Sequence, residues 1–222
     1  MTISILDLGR RPYTEVWALQ KELVEARSAG RAPDTLIIVE HEHVVTLGRK
    51  TSPENLGLNL GVPVFQVERG GDATYHGPGQ LVGYPIMKMT VPDVKNYVRK
   101  LEEVLIQTAE AFSIRAGRKE NHTGVWVGGK KLASIGVAVT NWVTYHGFAL
   151  NVNTDLSYFQ LIRPCGLDPD TITSMQQLTG RAQDFRAVKG EVVKRFSSVF
   201  GVLALEEPSP QASPVVQTRG KD

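Results

Sequence analysis

Apolar residues recur along this chain with two periods. Val16, Leu19, Leu23 and Ala26 return every three or four positions until Gly30, which predicts a first helix over 13–29. A longer stripe of Val94, Tyr97, Val98, Leu101, Val104, Leu105 and Phe112 follows Pro92 and predicts a second helix with one face committed to a core. Phe185, Val188, Val192, Phe196 and Val199 mark a last helix ending at Gly201. Between these, alternation over 3–7 and β-branched or apolar runs over 35–39, 44–47, 62–67, 81–87 and 143–152 predict strands. Short helical pieces are expected near 155–161 and 174–178.

Two further strands, 124–127 and 130–139, flank Gly128-Gly129, a pair whose tolerance of positive φ suits a hairpin turn. In the second strand Lys131 shares parity with Ala133, Ile135, Val137 and Val139, which would start its stem on the apolar face. After Leu205 the prolines at 208, 210 and 214 predict an irregular tail. With no internal repeat or linker, the expected organisation is one domain over 1–205 and a tail over 206–222.

The chain has 222 residues, of which 41% are hydrophobic, enough to bury a sizeable core. A net charge of +2 gives no global field that calls for nucleic acid, so an acidic partner would meet a local patch such as Arg115, Arg118 and Lys119 or Arg10 and Arg11. The single cysteine cannot pair within the chain, no signal-like segment opens it, and no apolar run approaches the roughly 20 residues of a membrane span. A soluble, cytoplasmic protein is expected.

Candidate chemistry concentrates in two places. Arg69-Gly70-Gly71-Asp72-Ala73-Thr74-Tyr75-His76-Gly77-Pro78-Gly79-Gln80 is too rich in glycine and proline for a helix or a central strand, and reads as a shaped loop that something approaches closely. Far downstream, Pro164-Cys165-Gly166 sets the one thiol on a loop. A nucleophilic thiol needs its pKa brought below about 8.5 by a cation or base, for which Lys131, His76 and His146 are the candidates. A Lys131 ammonium within about 4–6 Å would lower it by roughly one to three units.

Two other patterns are weaker. His41-Glu42-His43 would put two imidazoles on one strand face, but a zinc site needs further ligands at sensible spacing, and no metal is assigned. Gly124-x4-Gly129-Lys130-Lys131 falls short of a phosphate-binding loop, since it ends in Lys rather than Ser or Thr and lies between two strands.

The glycine loop, Gly129-Lys130-Lys131-Leu132-Ala133-Ser134-Ile135-Gly136-Val137, His146-Gly147-Phe148-Ala149-Leu150-Asn151 and Pro164-Cys165-Gly166 occur in an order and spacing that resembles the lipoyl(octanoyl) transferase family. The resemblance extends over about 39–174. It implies an α/β (α+β) fold, a mixed β-sheet with packed helices as in the catalytic domain of biotin and lipoate protein ligases. It also implies an enzyme that takes an octanoyl group from acyl carrier protein and places it on a lysine of a lipoyl domain, the first step of protein lipoylation. The acceptors would be lipoyl domains of 2-oxoacid dehydrogenase complexes and the glycine cleavage H protein.

By that match Cys165 is the position that becomes the acyl-thioester, and Lys131 the lysine that lowers its pKa. Arg69, Gly70, Gly71, Asp72, Ala73, Thr74, Tyr75 and His76, with Ser134, Ile135 and Gly136 and with Gly147, Phe148 and Ala149, correspond to substrate-contacting segments. No cofactor, membrane or nucleic acid is implied, and a monomer is expected. The competing readings are an ATP-dependent lipoate or biotin ligase on the same fold, a cysteine hydrolase pairing Cys165 with His76 or His146, and a non-catalytic module that holds the carrier protein or a lipoyl domain.

Overall fold

The computed structural model describes residues 1–51, 61–162 and 171–206. An eight-stranded sheet among these residues runs in the order β11-β1-β2-β6-β10-β9-β8-β7, with β1 (Thr2–Arg11), β2 (Thr35–His41), β6 (Gln80–Ile86), β7 (Gly117–Lys119), β8 (His122–Val127), β9 (Lys130–Thr140), β10 (Val143–Asn151) and β11 (Leu203–Glu206). β11, β1 and β2 are parallel, and every pairing from β2 onward is antiparallel, so the sheet is mixed as expected. A small second sheet, β4-β3-β5, joins β3 (Val44–Leu47), β4 (Val64–Gln66) and β5 (Thr74–His76).

The large sheet has a core on each face. Helix α2 (Val94–Ala111) puts Tyr97, Leu101, Val104 and Leu105 beside Val188, Val192 and Phe196 of α4 (Phe185–Phe200), over Ile3, Leu36, Leu81, Phe148 and Leu150. Asp93 and Asp184 cap these helices by accepting from backbone N-H groups of their first turns, and Gly201 ends α4 in the left-handed region. On the other face Val16 and Val24 of α1 (Tyr13–Ser28) cover Ile37, Val39, Val82, Tyr84 and Ala149. β2 and β6 are buried on both faces, which is why their sequences read as near-continuous apolar runs. A short 3-10 helix, Leu156–Leu161, and α3 (Met175–Thr179) stand where short helical pieces were expected.

Four elements differ from the sequence expectation. β1 runs on to Arg11 across a register shift between Asp7 and Arg10. The glycine-rich segment is not all loop: Thr74–His76 pairs with β3, and Gln80 already begins β6. The short edge strands β7 and β11 were not foreseen; β11 pairs in parallel with β1, and its last residue, Glu206, falls in the tail expected after Leu205. Edge strands of three or four residues bury too little to leave an apolar period. Residues 207–222 of the expected tail lie outside the described residues. Among the described residues no helix is long and apolar enough to cross a membrane.

Candidate active site

A cleft runs along β9 and β10, between the small sheet's glycine-rich segment and the end of α1. Its lining brings together Arg69, Gly70, Gly71, Asp72, Ala73, Thr74 and His76 with Lys131, Ser134, Ile135 and Gly136 and with Gly147, Phe148 and Ala149. Thirteen positions expected from three separate stretches of sequence, with Lys131, therefore share one wall-lined space. The register explains the meeting of β9 and β10: Ser134 is opposite Ala149, Ile135 opposite Phe148 and Gly136 opposite Gly147.

Arg69 ties the glycine-rich segment into shape. Its guanidinium donates from Nε to Thr46 Oγ1 (3.3 Å), from Nη1 to the carbonyls of Gly70 (3.1 Å) and Asp72 (2.7 Å), and from Nη2 to the carbonyl (2.6 Å) and Oγ1 (3.0 Å) of Thr46. The planar fork thus binds β3 to the turn, a task a lysine cannot copy. Gly70 N-H donates to Val137 O at 2.9 Å, fastening the segment to β9. A Cβ on Gly136 would lie 2.9 Å from Gly70 O, so glycine is what permits that approach.

β10 carries a local distortion at the other end of the cleft. Continuing the β10–β6 register, with Phe148 opposite Gly83, sets Pro85 opposite His146. Proline supplies no N-H there. His146 adopts φ 53, and its own N-H turns to Gln20 Oε1 of α1 at 2.9 Å. Gly147 then passes so close to β6 that a Cβ would fall 2.2 Å from Gly83 O.

Lys131 reaches the cleft through a bulge, and this corrects the parity read from the sequence. Trp126 pairs with Lys131 but Val125 pairs with Ala133, so Leu132 is an extra residue in β9. Leu132, Ala133 and Val137 join the core on the α2 side and Lys131, Ser134 and Gly136 line the cleft, while Ile135 packs on that core and also borders the cleft. Lys131 is buried, and its ammonium lies 5.6 Å from the centroid of the Trp126 ring. On its backbone, Lys131 O accepts from Thr173 N-H at 3.0 Å, and Ile172 bridges in parallel to Lys131.

The histidines around the cleft are neutral at pH 7. Burial brings His76 down to about 3 and His41 down to about 4, and it lowers His146 as well. Nδ1 of His76 meets Gln80 Oε1 at 2.7 Å, so that nitrogen carries the proton, because a carbonyl oxygen only accepts. In His41, Nδ1 likewise donates to Arg11 O (3.1 Å). His146 Nε2 lies 3.4 Å from Glu68 Oε2, which also accepts from Trp17 Nε1 at 3.1 Å. A neutral imidazole cannot hold a thiolate by charge, which sets His76 and His146 apart from Lys131 among the cations named from the sequence.

Other residues fall differently. Tyr75 does not line the cleft, since alternation in β5 turns it away from Thr74 and His76: its hydroxyl bonds His43 Nδ1 at 2.8 Å and its ring stacks on Tyr158. β2 ends at His41, so the strand alternation that would have aligned His41 with His43 is not continued. Tyr13 and Tyr84 line the cleft without having been singled out; burial pushes both hydroxyls up, so they remain protonated donors. Neither lies in a motif, and β6 is buried on both faces, so no pattern marked Tyr84. Pro164, Cys165 and Gly166 lie outside the described residues.

The family model for the lipoyl protein ligase A/B catalytic domain matches residues 12–197. An octanoyltransferase of Rubrobacter xylanophilus is 47% identical over 201 residues, covering 87% of this chain and 91% of the relative. Another, of Syntrophotalea carbinolica, is 50% identical over 200 residues, covering 89% and 94%. Among solved structures, a putative lipoate protein ligase from T. acidophilum with bound lipoic acid superposes with a TM-score of 0.74 at 17% identity, covering 93% of this chain and 89% of that one. A biotin protein ligase from Aquifex aeolicus gives 0.55 at 15% identity, covering 90% and 70%, so the mixed sheet with its helices is the biotin/lipoate protein ligase catalytic fold. A matched catalytic domain and close likeness over nearly the whole chain place this enzyme in one group: it belongs to the octanoyltransferase family.

Proposed function

We propose that this chain moves an octanoyl group from acyl carrier protein to a lysine of a lipoyl domain through a thioester on Cys165, with Lys131 holding the thiol ionised. The observation that carries the reading is the convergence at Lys131. A buried lysine stands in a cleft built from the glycine-rich segment, β9 and β10, and the chain leaving residues 163–170 docks on that lysine's own backbone through Ile172 and Thr173. Cys165 lies seven residues before Ile172 in the sequence.

The chemistry balances in two steps. The Cys165 thiolate attacks the carrier's thioester carbonyl; a C-S bond to Cys165 forms as the carrier's C-S bond breaks, and the carrier leaves as its thiol after taking a proton. One thioester replaces another, so no nucleotide is needed to drive the step. The acceptor amine then attacks the acyl-Cys165 carbonyl, the amide forms, and Cys165 leaves as thiolate; Lys131, having given up its proton to the departing carrier thiolate, accepts the one the amine loses. Backbone N-H groups of the glycine-rich segment, other than those of Gly70 and Ala73, which are committed to Val137 O and Asp72 Oδ1, are the candidate donors to the oxyanion of both intermediates. The chain's methylenes would lie along β9 and β10 between Ile135, Phe148 and Ala149, each contributing about 0.8 kcal/mol when buried.

The same proposal takes the acceptors as lipoyl domains of 2-oxoacid dehydrogenase complexes and the H protein. It also takes the enzyme as a cytoplasmic monomer, residues 1–205 as its catalytic domain and 206–222 as an appended tail. The test is intact mass after mixing with octanoyl carrier protein: one octanoyl adduct on the wild type and none on Cys165→Ala. An adduct that persists on Cys165→Ala removes the nucleophile assignment.

A further inference from the structure

The side chain of Lys131 rests in the space left by a missing Cβ. On β8, Gly124 adopts φ +123, and a Cβ built there would meet Lys131 Cε at 2.7 Å and Ala133 O at 2.5 Å. The backbone at Gly124 is therefore the floor under the lysine stem, and its height decides where the ammonium sits. That floor is fixed from α2. Gly124 N-H donates to Glu102 Oε1 at 3.1 Å, and the other carboxylate oxygen of Glu102 accepts from Arg118 Nε at 3.0 Å. Glu102 is 7% exposed on a helix whose other buried residues carry no charge. A buried carboxylate is costly unless paired and hydrogen-bonded, and here its two partners are one arginine and the glycine beneath the lysine.

We infer that Glu102 is a positioning residue for Lys131, acting through Gly124. It rests on the reading of Lys131 as the cation that ionises Cys165. The titratable groups around this corner are Glu102 and Glu103 of α2, Arg118 and Lys119 of β7, and His122 of β8, whose ring meets Trp126 edge to face at 5.7 Å. Lys119 and Lys131 each place an ammonium over the Trp126 ring, at 4.6 and 5.6 Å from its centroid.

The chain holds a single cysteine, so alkylation by iodoacetamide as a function of pH reports on Cys165 alone. Lys131→Ala should move the acidic limb of that profile up by about one to three pH units. Glu102 is buried while Arg118 is about a third exposed, so Glu102→Leu with Arg118→Leu removes the acceptor at Gly124 without leaving a charge buried and unpaired, and a cooperative urea transition checks that the variant is folded. Its limb should rise by at least about half a unit. Glu102→Gln, which keeps volume and an acceptor oxygen, and Glu103→Ala, which breaks Arg118's other pair and the bond from Gln107 Nε2 but leaves Glu102 in place, should retain the wild-type limb.

An unmoved limb in the folded double variant, with Lys131→Ala shifted, overturns the role of Glu102 alone. A shifted limb in Glu102→Gln also overturns it, since charge rather than the bond to Gly124 would then be acting. If Lys131→Ala itself leaves the profile unchanged, the reading of Lys131 fails instead.

Discussion

Tyr84 donates its hydroxyl proton to Nε2 of His41 across 2.8 Å, because Nδ1 of that ring is already committed as a donor to Arg11 O. The pair locks one tautomer of a buried, neutral imidazole. It belongs to a cluster in which His41 and His76 lie edge to face at 6.0 Å, and Tyr13 stacks on His76 at 6.2 Å.

This cluster predicts acid sensitivity. Burial lowers His41 to about 4 and His76 to about 3, and it lowers His146, whereas each unfolded imidazole titrates near 6.5. The unfolded state therefore binds more protons below 6.5. The stability these groups contribute is fully present above that pH and is lost as pH falls toward their folded values. Urea unfolding at pH 7 and pH 5 should differ by several kcal/mol, with pH 7 the more stable. His76→Gln, which has no proton to gain, should flatten the dependence. Equal stability at the two pH values would show that these rings are charged or solvated in the folded protein.

Arg69→Lys should behave as a severe change despite keeping the charge. A lysine has one ammonium where the guanidinium serves Thr46 and two carbonyls of the glycine-rich segment. Transfer activity should fall about tenfold or more and stability by about 2–4 kcal/mol, since buried carbonyls lose their donors. Wild-type activity and midpoint would mean that the segment holds its shape without the clamp.

Two glycine-to-alanine changes should move stability in opposite directions. At Gly147 a Cβ would overlap a backbone oxygen of β6 at 2.2 Å, so Gly147→Ala should cost about 3 kcal/mol or more and abolish transfer. Gly190 is exposed within α4 with nothing within 4 Å of a Cβ, so Gly190→Ala should stabilise by about 1 kcal/mol. Denaturant midpoints measure both; a tolerated alanine at 147 would mean that β10 and β6 can separate without loss.

Much of the fold was legible in the chain because its longer elements bury enough to leave a period. The stripe from Val94 to Phe112 predicted α2, and Gly128-Gly129 between two apolar runs predicted the hairpin of β8 and β9. β5, hidden among glycines, and the edge strands β7 and β11 were not legible, because so few residues pair in each. The cleft was legible as motifs: thirteen of fourteen expected contact positions line it, all but Tyr75. Tyr13 and Tyr84 were not, because they enter it from α1 and from a strand buried on both faces.

By itself the sequence determined which residue types stand at which spacing: the glycine-rich segment, Lys131 after its two-residue turn, and one thiol far downstream. Only the tertiary structure decided which way Lys131 faces. Strand parity assigns it to the core with Ala133 and Ile135, and an extra residue at Leu132 turns it into the cleft with Ser134 and Gly136. The reason is physical: a side chain's face is counted along the strand, but the count is reset wherever the neighbouring strand pairs one residue against two.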